Sequence, residues 1–325
     1  MKKNILLLLV LASLTLLGLL YFLNENKKPD EIKVGIFLFT SHKVIDEINL
    51  GFKDELLALA NKNKLTIKIE EKNANGDQIQ LEQITNYFKN GKFDLIFVVG
   101  APAAKMLKDR NVKTPVVFGG IPDPIEMNIV TSLNNHNSNF TGTTYFPPTD
   151  KILNLFLESF PNSKKIAVLR NPAEPNSVSV ANAFIKNSIK KNIQIVDLPS
   201  TDGTQIETSL RTLSINKVDG LFIPTDNLVY SMLDRVIDES KKKNIVTFSC
   251  TKLSVEKGAL FALGAEYNFV GKESAKVAFP ILTKEKTVEE TPVLVVNTGN
   301  FYVNKKDPNY KKLKKIDGYI ETDIQ

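Results

Sequence analysis

The groups in this sequence best suited to chemistry stand just past short apolar runs. The run GLFI is closed by Pro224, and Thr225, Asp226 and Asn227 follow at once. KIAVLR (165–170) leads into Asn171, Glu174, Asn176 and Ser177; KVGIFLF (33–39) leads into Thr40, Ser41 and His42. DLIFVV is followed by Gly100, Ala101, Pro102 and Ala103, TPVVF by a Gly-Gly-Ile-Pro turn ending at Asp123, and NIVTF by Ser249 and Cys250. These positions supply carboxylates, neutral hydrogen-bonding groups, and helix starts at Ala101–Ala104 and Asn176–Val178 whose first N–H groups have no partner within the helix. Such a set suits a small zwitterion: its ammonium wants a carboxylate, and its carboxylate wants N–H and hydroxyl donors. Phe39, Phe118, Tyr145 and Phe248 stand close by as aromatic walls or as core; with no Trp in the chain, sugars fit less well. Asp226 carries two readings. It is the counter-ion of a ligand, or it only caps the helix that follows, in which case Asn would serve as well.

Catalytic arrangements are poorly supplied. Neither a Gly-rich phosphate loop nor a G-x-S-x-G elbow occurs. The histidines are His42 and His136, and Cys250 is the sole cysteine, so an enzyme would have to use Cys250 or His42 without an evident orienting acid. The composition points to no metal or other cofactor, and one cysteine leaves no intrachain disulfide.

What positions these groups is a repeated grammar. FDLIFVVGAPAAKML (93–107) and VDGLFIPTDNLVYSML (218–233) each read as an Asp, an apolar strand, a polar turn with Pro, and a helix. The pairs 33–39 with 165–170, 65–84 with 193–210, and 114–118 with 244–248 match in the same order at a nearly constant offset. Alternating β and α segments give parallel sheets with right-handed crossovers, and ligands of such sheets sit beyond the carboxyl ends of the strands. The expected fold is therefore α/β: two similar Rossmann-like lobes with parallel sheets joined by a hinge, the strand ends facing a shared cleft. The predicted organisation is residues 32–147 plus about 266–290 in the first lobe and 148–265 plus about 291–325 in the second, with Pro147-Pro148 as a crossing. A single helix is expected over 227–241.

At 325 residues and 42% hydrophobic content the chain can fill two cores. The net charge of +6 is scattered in short Lys clusters, which are solvated helix ends and not a nucleic-acid footprint. Lys2 and Lys3 precede an apolar run over residues 5–23, close to the length that spans a bilayer, with no small-x-small cleavage site and no lipobox cysteine. Residues 1–23 thus read as an uncleaved anchor more readily than as a cleaved signal, residues 24–31 as a tether, and the remainder as lying outside the cytoplasmic membrane.

These residues together carry a family resemblance. Gly51-Phe52-Lys53, the run Asn73–Asp77, Ala101-Pro102-Ala103-Ala104, Asp123-Pro124, Asn139–Gly142, Asn171-Pro172 with Glu174, Asn176 and Ser177, and Pro224–Asn227 resemble the substrate-binding proteins of ABC transporters. The likeness is to the bilobed type I periplasmic class, in the group that includes tryptophan-type binding proteins, and spans about 33–305. It implies capture of an amino acid or similar amphipathic metabolite and delivery to an ABC permease by a monomer. With the strand-end positions above, the expected ligand contacts are Thr40, Ser41, Ala101, Pro102, Ala103, Asp123, Tyr145, Asn171, Glu174, Ser177, Thr225, Asp226, Asn227 and Cys250. The chain departs from the pattern at Ala101, where a Thr or Ser is usual, at Ser249-Cys250, where an acid is common, and in lacking the lipoprotein cysteine. A tethered sensory module of the same fold is the alternative reading.

Overall fold

A computed structural model describes residues 31–134, 138–297, 299–316, 318–319 and 321–324. The expected anchor, nearly all of the tether, and His136 lie outside the described residues. Among those described, no helix is long and apolar enough to cross a membrane.

The first sheet has strand order β11-β5-β4-β3-β1-β2, every pair parallel. Its strands are β1 (Ile32–Leu38), β2 (Ile67–Asn73), β3 (Leu95–Val99), β4 (Val116–Ile121), β5 (Phe140–Thr144) and β11 (Leu294–Val295). Helices α1 (Lys43–Lys62), α2 (Gln78–Asn90) and α3 (Ala101–Asp109) connect the first four. The second sheet runs β13-β12-β10-β9-β8-β6-β7. It comprises β6 (Lys165–Arg170), β7 (Gln194–Pro199), β8 (Gly220–Ile223), β9 (Val246–Ser249), β10 (Phe261–Gly264), β12 (Asn300–Val303) and β13 (Glu321–Asp323). Only the β10–β12 pair is antiparallel. Here the helices are α4 (Thr149–Ser159), α5 (Pro175–Lys190), α6 (Gly203–Asn216), α7 (Asn227–Ser231), α8 (Leu233–Lys242) and α9 (Lys252–Glu256). Strands β2-β1-β3-β4-β5 and β7-β6-β8-β9-β10 follow one topology, the two halves of the repeat. Buried strands with runs such as LIFVV and GLFI have apolar side chains on both faces because helices cover both.

The chain crosses between lobes three times: after β5, after β10, and between β11 and β12. After β10, helix α10 (Tyr267–Leu282) returns to the first lobe and packs along α1. Backbones meet there, since a Cβ on Gly51 would stand 2.0 Å from Asn268 O and one on Gly271 2.0 Å from Ile48 O.

The structure alters several sequence expectations. The last crossing comes later than residue 290: β11 pairs with β5, and Val293 and Val296 are buried in the first lobe. Parallel edge pairing, which leaves little trace in a two-residue strand, decides this. Strand β4 continues through Gly119 and Gly120 to Ile121, where a turn was expected. Gly120 takes φ 67, the register shifts between Phe118 and Ile121, and Thr143 Oγ1 accepts the Gly120 N–H at 3.0 Å. The helix expected over 227–241 is two helices, broken at Met232 with φ −115 and ψ 17.

Candidate ligand-binding site

In both lobes the strand order reverses beside the first strand, between β1 and β3 and between β6 and β8. Such switch points open a crevice at the strand ends, and the loops leaving these four strands face one another. The cleft between them divides into two chambers. The inner one, of about 60 Å³, is walled by His42, Ile45, Ile48, Ala101, Gly120 and Tyr145 with Tyr267 from the first lobe, and by Asn176, Thr225, Asp226, Asn227 and Tyr230 from the second. The outer one, of about 380 Å³, is more polar, with Thr40, Asn75, Gln78 and Pro102 facing Asn171, Glu174, Thr201, Asn227 and Ser231. The boundary runs through Ala101-Pro102 on one side and Asn227 on the other.

The second-lobe wall is organised by two buried carboxylates, Asp226 and Glu174, exposed 0% and 4%. Asp226 is the N-cap of α7, its Oδ1 accepting the Val229 N–H at 2.8 Å. Its Oδ2 accepts the Asn171 N–H at 2.5 Å and the Ser177 hydroxyl at 2.6 Å, so it also ties the β6–α5 loop to the end of β8. Burial, and then the charge of Glu174, push its pKa up to about 7, against the pull of these donors. Glu174 accepts only from N–H groups: Asn171 Nδ2 and the Leu228 N–H on Oε1, and Asn176 Nδ2, Asn227 Nδ2 and the Asn227 N–H on Oε2. Arg170, the nearest guanidinium in sequence, is engaged by Asp197 through two bonds of 2.8 and 2.6 Å. The wall therefore carries acidic charge, and among the described residues no cation is bonded to it.

Four buried polar atoms with no hydrogen-bond partner among the described residues belong to residues of the inner chamber's wall: His42 Nδ1, Tyr145 Oη, Asn176 Oδ1 and Tyr230 Oη. Tyr230 Oη approaches the Cys250 thiol and the Thr251 hydroxyl but makes neither bond at good geometry. An unmade buried hydrogen bond costs on the order of 1–3 kcal/mol, so four around one space mark it as a place for a polar guest. Burial raises both phenols far above their usual range, which keeps them neutral and able to donate. The remaining wall is apolar or aromatic, with Tyr145 and Tyr267 edge-to-face at 6.5 Å and His42 edge-on to Tyr230 at 5.4 Å.

The lobes touch across the cleft. His42 Nε2 lies 2.8 Å from Asn227 Oδ1, Lys43 Nζ lies 2.6 Å from Glu256, and Val44 packs against the apolar cluster of the second lobe. On the far rim Ser179 Oγ donates to Glu126 at 2.5 Å.

Of the residues expected at the site, Ala101, Tyr145, Thr225, Asp226 and Asn227 line the inner chamber, and Thr40, Pro102, Asn171, Glu174 and Asn227 line the outer. Ser177 and Ala103 are buried behind these walls, Ser177 on Asp226. Ser41 is exposed and its hydroxyl donates to Asp46, while Asp123 accepts the N–H groups of Ile125 and Glu126 in its own turn. Cys250 is fully buried, its thiol 3.8 Å from Ile223 O and pushed up to about 12 by burial, which keeps it from acting as a thiolate. Phe118 and Phe248 are core; Phe39 lines the outer chamber. Sequence reasoning placed His42 only in catalytic roles, gave Asn176 a part only as a helix start and in the family motif, and left Tyr230 and Tyr267 out of the site. His42 follows β1, Asn176 stands in the first turn of α5 and Tyr267 opens α10 just past β10, so strand-end position was a usable signal for all three; Tyr230 lies inside α7 and gave none.

Two repeated α/β lobes closing on an acidic, partly aromatic cleft define the class of bilobed solute receptors. Residues 33–315 match the family model for ABC transporter substrate binding proteins, and the chain belongs to that family. It is 28% identical over 307 residues to a tyrosine-binding protein of Clostridioides difficile (strain R20291), covering 92% of this chain and 88% of that one. Among solved structures it resembles an ABC domain from Streptococcus pneumonia in complex with L-Trp, at 25% identity and TM-score 0.80, covering 86% of this chain and 95% of that one. It also resembles the ligand-free, open form of a substrate-binding protein with adhesive properties from Clostridium difficile, at 27% identity and TM-score 0.67, covering 90% and 100%. The better overlap with the ligand-bound structure at similar identity agrees with the interlobe contacts seen here. Substrate-binding proteins of this family bind small molecules outside the cytoplasm and work with an ABC permease.

Proposed function

We propose that this protein captures an α-amino acid with a large, apolar or aromatic side chain and presents it to an ABC permease. The observation that carries this reading is the inner chamber, where unpartnered acceptors and donors lie beside uncompensated carboxylates within an aromatic wall. An ammonium satisfies the acceptors and the acidic charge, and the side chain packs among Tyr145, Tyr230, Tyr267, Ile45 and Ile48 as the chamber, of about 60 Å³, widens to admit it. The ligand carboxylate is placed against the phenols and the N-terminus of α3, where Gly100 takes φ 104 and a Cβ would meet Phe39 Cβ at 2.5 Å. The ligand-binding names of the relatives, tyrosine and L-Trp, support the same class. The chain acts as a binder without turnover, as a monomer, held to the membrane by residues 5–23. Melting of residues 31–325 should rise with one or more of L-tryptophan, L-tyrosine and L-phenylalanine across a screen of the twenty amino acids. No rise with any of them refutes the assignment. When the full-length gene is expressed, recovery of a chain trimmed near residue 24 from a soluble extracytoplasmic fraction refutes the anchor alone.

A further inference from the structure

Resting on the amino-acid reading, the geometry points to Glu174 as a positioning residue that selects an ammonium carrying at least two hydrogens, without touching it, through His42 Nδ1 and Asn176 Oδ1. The argument follows hydrogen-bond direction. The Glu174 carboxylate has no hydrogen to give, so each of its five partners must donate. That fixes the Asn227 amide: Nδ2 faces Glu174, and Oδ1 faces His42. His42 Nε2, 2.8 Å from that oxygen, must therefore carry a hydrogen. In the neutral ring Nδ1 is then an acceptor, and it is the nitrogen left without a partner. The same carboxylate fixes Asn176: its Nδ2 donates to Glu174 and, at 2.8 Å, to the Thr225 carbonyl, which leaves Oδ1 bare. Two wall residues of one chamber, on different lobes, thus carry bare acceptors because one buried carboxylate orients both.

A guest that satisfies two acceptors must bring two hydrogens on one small group, and the neighbouring acidic charge asks that the group be cationic. An α-ammonium has three. Asp226, the expected counter-ion, has Oδ2 filled by two donors and Oδ1 by a third, so it contributes charge at short range more than a free bonding position. Because His42 belongs to the first lobe, its tautomer is set only when Asn227 reaches it. Closure and the ability to hold the ammonium are the same event.

The test is calorimetric. Wild-type protein is titrated with L-tryptophan, its N-monomethyl, N,N-dimethyl and N-acetyl forms, and indole-3-propionate, which lacks the amine. Affinity should survive one methyl group and fall about tenfold or more with two, because the dimethyl form keeps the charge but only one hydrogen; the N-acetyl form should bind no better than indole-3-propionate. Glu174→Gln brings a side-chain amide that can donate, so both asparagines are free to turn. This variant should lose about 10- to 100-fold for L-tryptophan and little for indole-3-propionate. A general loss of folding would lower both, and the ligand-free melt identifies it. Equal losses for both ligands, or an N-acetyl form that binds as tightly as the free amino acid, overturn the inference while leaving the amino-acid reading intact. Absence of any amino-acid binding by wild-type protein overturns both.

Discussion

Replacing Asp226 by Asn tests the electrostatics of the second-lobe wall in the absence of ligand. The folded-state pKa of Asp226 is about 7, against an ordinary value of 3.8. A carboxyl raised in this way is destabilising when ionised. The cost is absent below about pH 4, grows as pH rises, and is complete above pH 7. At about 1.4 kcal/mol for each pH unit the full cost is on the order of 4 kcal/mol. Glu174 is the charged group that faces Asp226 most directly, and Arg170, though within range of its field, is bonded to Asp197. Asn removes this cost but introduces another. With Oδ1 on the Val229 N–H, its amide hydrogens meet the Ser177 hydroxyl, which can rotate to accept, and the Asn171 N–H, which cannot. The Asn171 N–H keeps only its 3.2 Å contact to Ser177 Oγ, a loss of about 1–3 kcal/mol. A protonated Asp avoids this loss, because its hydroxyl oxygen donates and accepts at once. Melting at pH 5 and pH 8 should therefore show wild-type protein losing stability across the interval and Asp226→Asn losing much less. The variant should be level or slightly weaker at pH 5 and more stable by roughly 1–3 kcal/mol at pH 8. Parallel pH profiles for the two proteins would refute the reasoning. The reading in which Asp226 is only a cap, and Asn would serve as well, does not survive the structure, because capping uses one of three bonds.

Other outcomes follow from the same geometry. If Asp226 holds a proton near neutrality and the ligand ammonium favours its ionised form, amino-acid binding at pH 6.5 releases protons; titrations in buffers of different ionisation enthalpy should give different apparent enthalpies, with the dependence lost in Asp226→Asn. Gly271→Ala should destabilise the protein by about 1–3 kcal/mol, read from its melting curve, because the new methyl group meets the Ile48 carbonyl. The interlobe contacts are individually weak, an exposed ion pair such as Lys43–Glu256 contributing about 0.2–1 kcal/mol. Val44→Asp combined with Glu126→Ala should therefore enlarge the ligand-free radius of gyration in solution scattering. An unchanged radius would show that closure rests on something other than these contacts.

The sequence determined the two-lobed parallel architecture, because buried strands between helices must be apolar on both faces and the same pattern occurs twice at a fixed offset. It also placed most of the cleft, since polar residues directly past such strands stand at the carboxyl edge of the sheet. Thr225, Asp226, Asn227, Glu174 and Ala101 were legible on that ground alone. The division of labour among them was not. That Glu174 gathers five N–H donors, two of them on Asn227 some fifty residues later, depends on the spacing of two loops in space and not in sequence. The role of His42 depends on a bond to the other lobe, and that of Tyr267 on a helix that returns from it. Direction, too, belongs to the tertiary structure: an amide or an imidazole becomes a donor or an acceptor only by what its other atom faces, and those partners come from elements far apart in the chain.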